Sequence, residues 1–407
     1  MARINVSIDH HLRLFFSHGS KSTTDRQGFM RRTTIIALLC ACSFTSTAQV
    51  DSTASLRKAK FLVLPGVFSS PETSLGFGIV GLTTFRFKNE SDTSQTSQIN
   101  IGAAYTLLDQ FLLYLPYQFF WNEERYKLYG ELGFYKYFFL FHGIGADHEG
   151  EKLETFDVRF PRVRINFLKR FGDRTFVGGR YAFDDFNITR FDTTGVLKDR
   201  LITGTAGGAI SGIGPVVNYD TRDNIFQPYK GILAELSFLL NDGVIGSTYN
   251  FTQTSLEVSG YIALTGPKKF PENRRPIRPV LALNILAVAA DGNAPFNALG
   301  LLGGTKRMRG YYEGYYRDKR MIEGQAEFRI PLFANKAGFL QRFGVVAFGG
   351  LGTVAPTYMA LNLQDIVHTY GGGLRFQLDR KQSINLRVDY ALSATTSGFY
   401  LSIGEAF

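Results

Sequence analysis

Long apolar runs are missing from most of this chain. After the N-terminal region there is no stretch of eighteen apolar residues, which excludes a transmembrane helix there. Cysteine is almost absent: the two, Cys40 and Cys42, fall before residue 50, so the remainder has neither a disulfide nor a thiol nucleophile. Histidine is sparse beyond residue 48, with His142, His148 and His368. His142 and His148 share a Gly-rich stretch with Asp147 and Glu149, yet not in a known zinc-ligand spacing. A G-x-S-x-G nucleophile elbow is absent, and His368 beside Thr369 is a thin basis for a hydrolase pair. The chain therefore reads as a non-enzyme with no cofactor and no metal. Acidic residues are outnumbered, 35 to 45, giving a formal charge of +10. The cations are dispersed and sit in short turns (Lys268-Lys269, Arg274-Arg275, Asp379-Arg380-Lys381) without a recognition motif, which argues against nucleic acid. Basic turns of this kind suit solvent or the anionic head groups of a membrane.

What is abundant is glycine (43), phenylalanine (37) and tyrosine (20). That composition fits a β-barrel, which hides its apolar residues by alternation and carries aromatic girdles at the two interfaces. The strand at 322–330 alternates without a break: Glu323, Gln325, Glu327 and Arg329 on one side, Ile322, Gly324, Ala326, Phe328 and Ile330 on the other. Near the end of the sequence Ile384, Leu386, Val388 and Tyr390 oppose Asn385, Arg387, Asp389 and Ala391. Turn signals recur at the spacing of membrane strands about ten residues long. The expected fold is all-β, a transmembrane antiparallel barrel of sixteen strands near 59–68, 75–87, 97–107, 110–120, 125–138, 153–168, 173–187, 207–220, 230–240, 250–263, 278–291, 321–332, 342–352, 367–378, 383–392 and 398–407. An even count lets the first and last strands close the barrel, with both termini on the periplasmic side and long outer loops at 139–152, 188–206, 292–320 and 353–366.

Met30-Arg31-Arg32, the apolar run Ile35–Phe44 and Ser46-Thr47-Ala48 form a secretory signal, with cleavage expected after Ala48. The expected organisation is a mis-assigned extension at 1–29, a signal peptide at 30–48, a periplasmic linker at 49–58 and a barrel at 59–407. Leu39-Cys40-Ala41-Cys42 fits a lipoprotein box poorly.

Ahead of the 322–330 strand lies Gly303-Gly304-Thr305-Lys306-Arg307-Met308-Arg309-Gly310-Tyr311. This loop and strand together resemble the BamA/TamA superfamily of outer-membrane assembly and translocation barrels, the bacterial surface antigen family. The resemblance covers essentially the whole chain after the signal and is most specific from Gly303 to Phe407. It implies a loop tip, Arg309-Gly310-Tyr311, folded into the barrel, with Arg309 meeting the acid Glu327. A guanidinium carried into a lumen suits a carboxylate, which it can bond bidentately. The family's second acid, in a Phe-x-Asp-x-Gly pattern, is replaced by Gly350 in Phe348-Gly349-Gly350-Leu351-Gly352, so that the expected lock is either weaker than the family's or uses Glu323 instead. Asn218-Tyr219-Asp220-Thr221-Arg222-Asp223-Asn224, with Pro228 and Gly231, resembles an architectural strand-turn-strand of the same family. Phe399, Leu401, Ile403, Gly404 and the terminal Phe407 resemble its C-terminal assembly signal, with Glu405 expected on the apolar side.

In such barrels the seam between first and last strands opens laterally. Pro65, which lacks an amide donor, and Gly404 are expected to weaken that seam here. The implied location is the outer membrane of a Gram-negative bacterium. The implied partners are outer-membrane lipids, unfolded outer-membrane or secreted clients, and separate periplasmic accessory proteins, since ten residues cannot hold a periplasmic binding domain. The alternatives are an accessory or structural barrel in a larger complex, a lipid-handling barrel, or a passive channel.

Overall fold

The computed structural model describes residues 60–407, apart from 92–93, 148–152, 193–194, 199–200, 265–277, 334–337 and 380–382. The expected extension, signal and linker, His148, and the turn cations Lys268, Lys269, Arg274, Arg275, Arg380 and Lys381 lie outside the described residues.

In chain order the strands are β1 (Lys60–Ser70), β2 (Ser74–Phe85), β3 (Ser97–Thr106), β4 (Phe111–Trp121), β5 (Tyr126–Phe141), β6 (Glu154–Phe171), β7 (Thr175–Phe191), β8 (Gly208–Asp220) and β9 (Gly231–Asn241). There follow β10 (Phe251–Ala263), β11 (Val280–Gly292), β12 (Gly300–Leu302), β13 (Tyr316–Asp318), β14 (Arg320–Pro331), β15 (Phe343–Ala355), β16 (Val367–Asp379), β17 (Ile384–Ser393) and β18 (Ser397–Ile403). All but β12 and β13 close into one antiparallel barrel of sixteen strands, as the alternation and turn spacing had indicated. Sequential strands pair throughout, except that β11 pairs β14 across the excursion holding β12 and β13, and β18 meets β1.

Alternation decides which side chains face where. Across β10 and β11, Ser259 stands opposite Asn284, and the Asn284 amide donates to the Ser259 hydroxyl at 2.9 Å. Both are buried, whereas the next residue, Ile285, is 54 % exposed. The same inversion runs around the wall: Asn166, Asn218 and Glu327 turn inward, while Ile79, Ile101, Leu236 and Leu374 are bare on the outside. An apolar band on the outside and a polar inside is the arrangement a bilayer stabilises, and no helix among the described residues is long and apolar enough to cross one.

The two ends of the barrel differ. β5, β6 and β7 have 16, 18 and 17 residues, beyond the roughly nine to eleven needed to cross, and carry the wall outward at the end bearing the long loops. On the β17–β4 side that rim is low, with connections of only 71–73, 107–110 and 394–396.

Several expectations are corrected. The last strand stops at Ile403, so Gly404 lies outside it, at φ +94° with its amide donating to the Asn385 carbonyl at 2.7 Å. That left-handed residue breaks the period-2 alternation, so Glu405 turns into the barrel instead of to the apolar side; its side chain is 2 % exposed. The 292–320 segment is not a bare loop, because β12 and β13 pair within it (Gly300 opposite Asp318, Leu302 opposite Tyr316).

Candidate functional site

The excursion between β11 and β14 folds back into the barrel. β12 and β13 form its stem, and Gly303–Tyr315 its tip. The tip is closed by its own backbone: the Gly304 amide donates to the Tyr311 carbonyl at 3.0 Å, and the Tyr311 amide to the Met308 carbonyl at 3.2 Å. Tyr311, Met308 and Leu302 are fully buried and pack with Met321 and Val354 of the wall. The Tyr311 ring also packs, tilted, against that of Tyr315, with centres 4.9 Å apart. Glycine is required at 310 for two reasons. Its φ is +114°, and a Cβ there would stand 3.1 Å from the Leu392 carbonyl at the end of β17.

Arg309 is wholly buried and points across the lumen. One terminal nitrogen donates to Glu327 on β14 and the other to Asp389 on β17, while the guanidinium carbon lies 3.6 Å from the centre of the Phe348 ring on β15. Three strands of the wall, β14, β15 and β17, thus hold one side chain. Desolvated cation–π contacts of this kind are worth about 2 kcal/mol or more. The two acids are shared: Arg329 donates to Glu327 at 2.8 Å, Arg375 to Asp389 at 2.5 Å, and Arg375 also to Glu405 at 2.8 Å. Arg387 approaches Asp389 at 3.6 Å. Four guanidiniums therefore share three carboxylates (Glu327, Asp389, Glu405) in one buried network. Such a network adds little net stability, because desolvation offsets attraction, but it strongly specifies geometry: stripping out one partner costs about 3–5 kcal/mol.

The neighbouring residues of the tip are read as closely. Arg307 reaches Glu323 at 2.7 Å and Glu257 at 3.1 Å. The Gln325 amide donates to the Lys306 carbonyl at 3.1 Å, and Arg387 to the Thr305 carbonyl at 3.0 Å. Glu323, expected as a substitute acid for Arg309, serves Arg307 instead; the second acid on Arg309 is Asp389. Gly350 leaves space: a Cβ there would stand 2.7 Å from the Met308 sulfur. Asp389 was visible on the polar face of its strand, but eighty residues separate it from Arg309, and alternation alone gives no cross-barrel pairing.

Of the other sequence-derived residues, Phe399 and Ile403 face outward. Phe407 does not join that row; its ring stands 6.4 Å from Tyr261, with the Arg329 guanidinium 5.3 Å away. Pro65 lies within β1 opposite Ile79 of β2. Asp220 holds Arg222 at 2.8 Å, and Asp223 and Asn224 accept backbone amides of the same turn, an architectural arrangement. His142 packs edge-on to Tyr315 at 4.9 Å.

A family model described as the Omp85 superfamily domain matches residues 203–407, the stretch that contains the loop, Glu327, Asp389 and the last strand, β18. The chain belongs to the Omp85 superfamily. The Omp85 barrels are outer-membrane proteins of Gram-negative bacteria, and the BamA/TamA resemblance falls within this family. Among solved structures, BamA from Haemophilus ducreyi lacking POTRA domains 1–3 is similar, at 16 % identity and TM-score 0.53 over 85 % of this chain and 70 % of that one. CdiB from Acinetobacter baumannii matches at 11 % identity and TM-score 0.54, over 86 % of this chain and 66 % of that one. CdiB from Escherichia coli matches at 12 % and 0.53, over 86 % and 68 %. At these identities the likeness is one of fold. A comparison with curated protein sequences gives no match.

Proposed function

We propose that this Omp85 barrel inserts or translocates polypeptides at the outer membrane, with the β1–β18 seam as the place where a client strand pairs. The register carries this reading. Among the described residues the seam is held by one partner pair, Ser69 opposite Leu401, whereas β17 and β18 align from Leu386–Ile403 through Leu392–Ser397. Continued downward, the seam register sets Val67 opposite Ile403, where β18 ends and Gly404 turns inward. Lys60–Gly66 of β1 then have no β18 residue beside them. A strand edge of that kind is a template for another strand. Pro65 lies in this reach, where its missing donor costs no ladder bond.

The loop that fills the lumen argues against a passive pore as the main activity. Clients are unfolded outer-membrane or secreted polypeptides. The test is in-cell photo-crosslinking from probes at Val63, Leu401 and Ile403, read by mass spectrometry. Adducts with unfolded barrel or secreted proteins support the reading. Adducts with one folded partner, or with lipid alone, replace it with an accessory or lipid-handling role.

A further inference from the structure

The loop tip touches both edges of the seam at its loop-bearing end. On the β18 side, the Gly310 amide donates to the Tyr400 hydroxyl at 2.8 Å, and the Thr396 hydroxyl donates to the Gly310 carbonyl at 2.5 Å. Thr395 adds a bond to the Tyr315 hydroxyl at 3.1 Å. On the β1 side, the Glu313 amide donates to a carboxylate oxygen of Glu72, in the turn between β1 and β2, at 2.9 Å. Residues 310 and 313 of one loop are therefore bonded to the last strand and to the first hairpin.

Glu72 is held in place for this. Its turn is closed by reciprocal bonds, the Ser70 amide to the Thr73 hydroxyl at 3.1 Å and the Thr73 amide to the Ser70 hydroxyl at 3.2 Å. The Gln110 side chain donates to the Glu72 carbonyl at 3.1 Å. Glu72 is 4 % exposed, and its second carboxylate oxygen has no hydrogen-bond partner among the described residues. A carboxylate buried at that cost, accepting from a backbone amide of the loop, is better explained by what it holds than by local stability. Between the two anchor points lies a cavity of about 370 Å³ lined by Glu72, Glu313, Tyr400, Ser69 and Leu401. Packing across it is incomplete, so the hydrogen bonds carry much of the closure.

We infer that Glu72 and Tyr400 are positioning residues that strap the loop across the seam, so that seating the loop shuts the seam's outer end while its inner end stays open. This rests on the proposed lateral use of the seam. It adds that opening toward the outside requires the loop to let go of Glu72, the edge held by one bond, while the tip stays attached to β18.

Hydrogen exchange read by mass spectrometry on the full chain in lipid nanodiscs tests this with three variants. Glu72→Ala removes the acceptor, Glu72→Gln keeps one, and Tyr400→Phe removes the β18 anchor. Glu72→Ala and Tyr400→Phe are expected to speed exchange of 67–72 and 397–402 about tenfold or more, the size of a lost bond to a charged or buried group. Glu72→Gln is expected to stay near wild type. Unchanged outer-seam exchange in Glu72→Ala, or in Tyr400→Phe if the alanine variant does not fold, overturns the strap. The wild-type rate over 60–66 is a separate readout. If it is as slow as that of β9, the lateral-seam reading fails whatever the variants show.

Discussion

Met308 occupies the space that a side chain at position 350 would need: a Cβ on Gly350 would stand 2.7 Å from the Met308 sulfur. The missing acid at 350 and the methionine in the loop are one packing solution. Restoring an aspartate there, Gly350→Asp, is predicted to unseat the loop tip instead of strengthening it. Overpacking a filled site costs about 1–3 kcal/mol, and a buried carboxylate adds to that. Denaturant unfolding in detergent micelles should show a lowered midpoint, and protease should cut the 303–315 tip faster. A midpoint at or above wild type would contradict this packing account.

Arg309 is the second point of test. Arg309→Ala leaves Glu327 and Asp389 facing Arg329, Arg375 and Arg387 with a void between, and is expected to cost about 3–5 kcal/mol. Arg309→Lys keeps the charge but loses the two-armed geometry and the stacking on Phe348, so it should recover only part. A double-mutant cycle with Asp389→Asn should give a coupling energy above about 0.5 kcal/mol. Additive costs would mean that the two residues do not act as a unit.

Glu72 gives a pH prediction. Its carboxyl is raised above the ordinary carboxylate value, first by burial and further by the neighbouring charge of Glu313. The folded state therefore holds this proton more tightly than the unfolded chain. The stabilisation tied to the proton is complete below the ordinary carboxylate value and is lost as pH rises through the raised one. Glu72→Gln keeps the acceptor and removes the titration. The stability of this variant relative to wild type should therefore rise as pH increases across that window. A difference that is flat in pH would show that the carboxyl is not perturbed by folding.

The tip also blocks the lumen. Deleting 303–315 should turn a nearly closed barrel into a steady pore in planar bilayers, whereas Arg309→Ala should give intermittent openings as the tip leaves its seat. Equal conductance in all three proteins would place the main obstruction elsewhere.

Much of the barrel was legible because a transmembrane strand has to alternate: Glu323, Gln325 and Glu327 against Ile322 and Phe328 leave one orientation that lipid tolerates. Sixteen strands followed; β5 to β7 run past their expected outer ends, because their pairing continues above the membrane, where alternation is no longer enforced, and β18 stops short of its expected end at Gly404. The pairing of Arg309 with Glu327 came from the family resemblance on the loop and following strand. Asp389 did not, since contacts across a lumen leave no period in the sequence. Nor could alternation foresee Gly404, whose left-handed backbone sends Glu405 to Arg375 instead of outward.

The most direct test of the central claim is a reversible lock on the seam. The register sets Val67 opposite Ile403, and the described residues contain no cysteine, so Val67→Cys with Ile403→Cys adds a single closable pair. Insertion of an unfolded outer-membrane client into proteoliposomes should stop on oxidation and return on reduction, with the barrel folded in both states. Equal insertion by the oxidised and reduced forms would contradict lateral use of the β1–β18 seam.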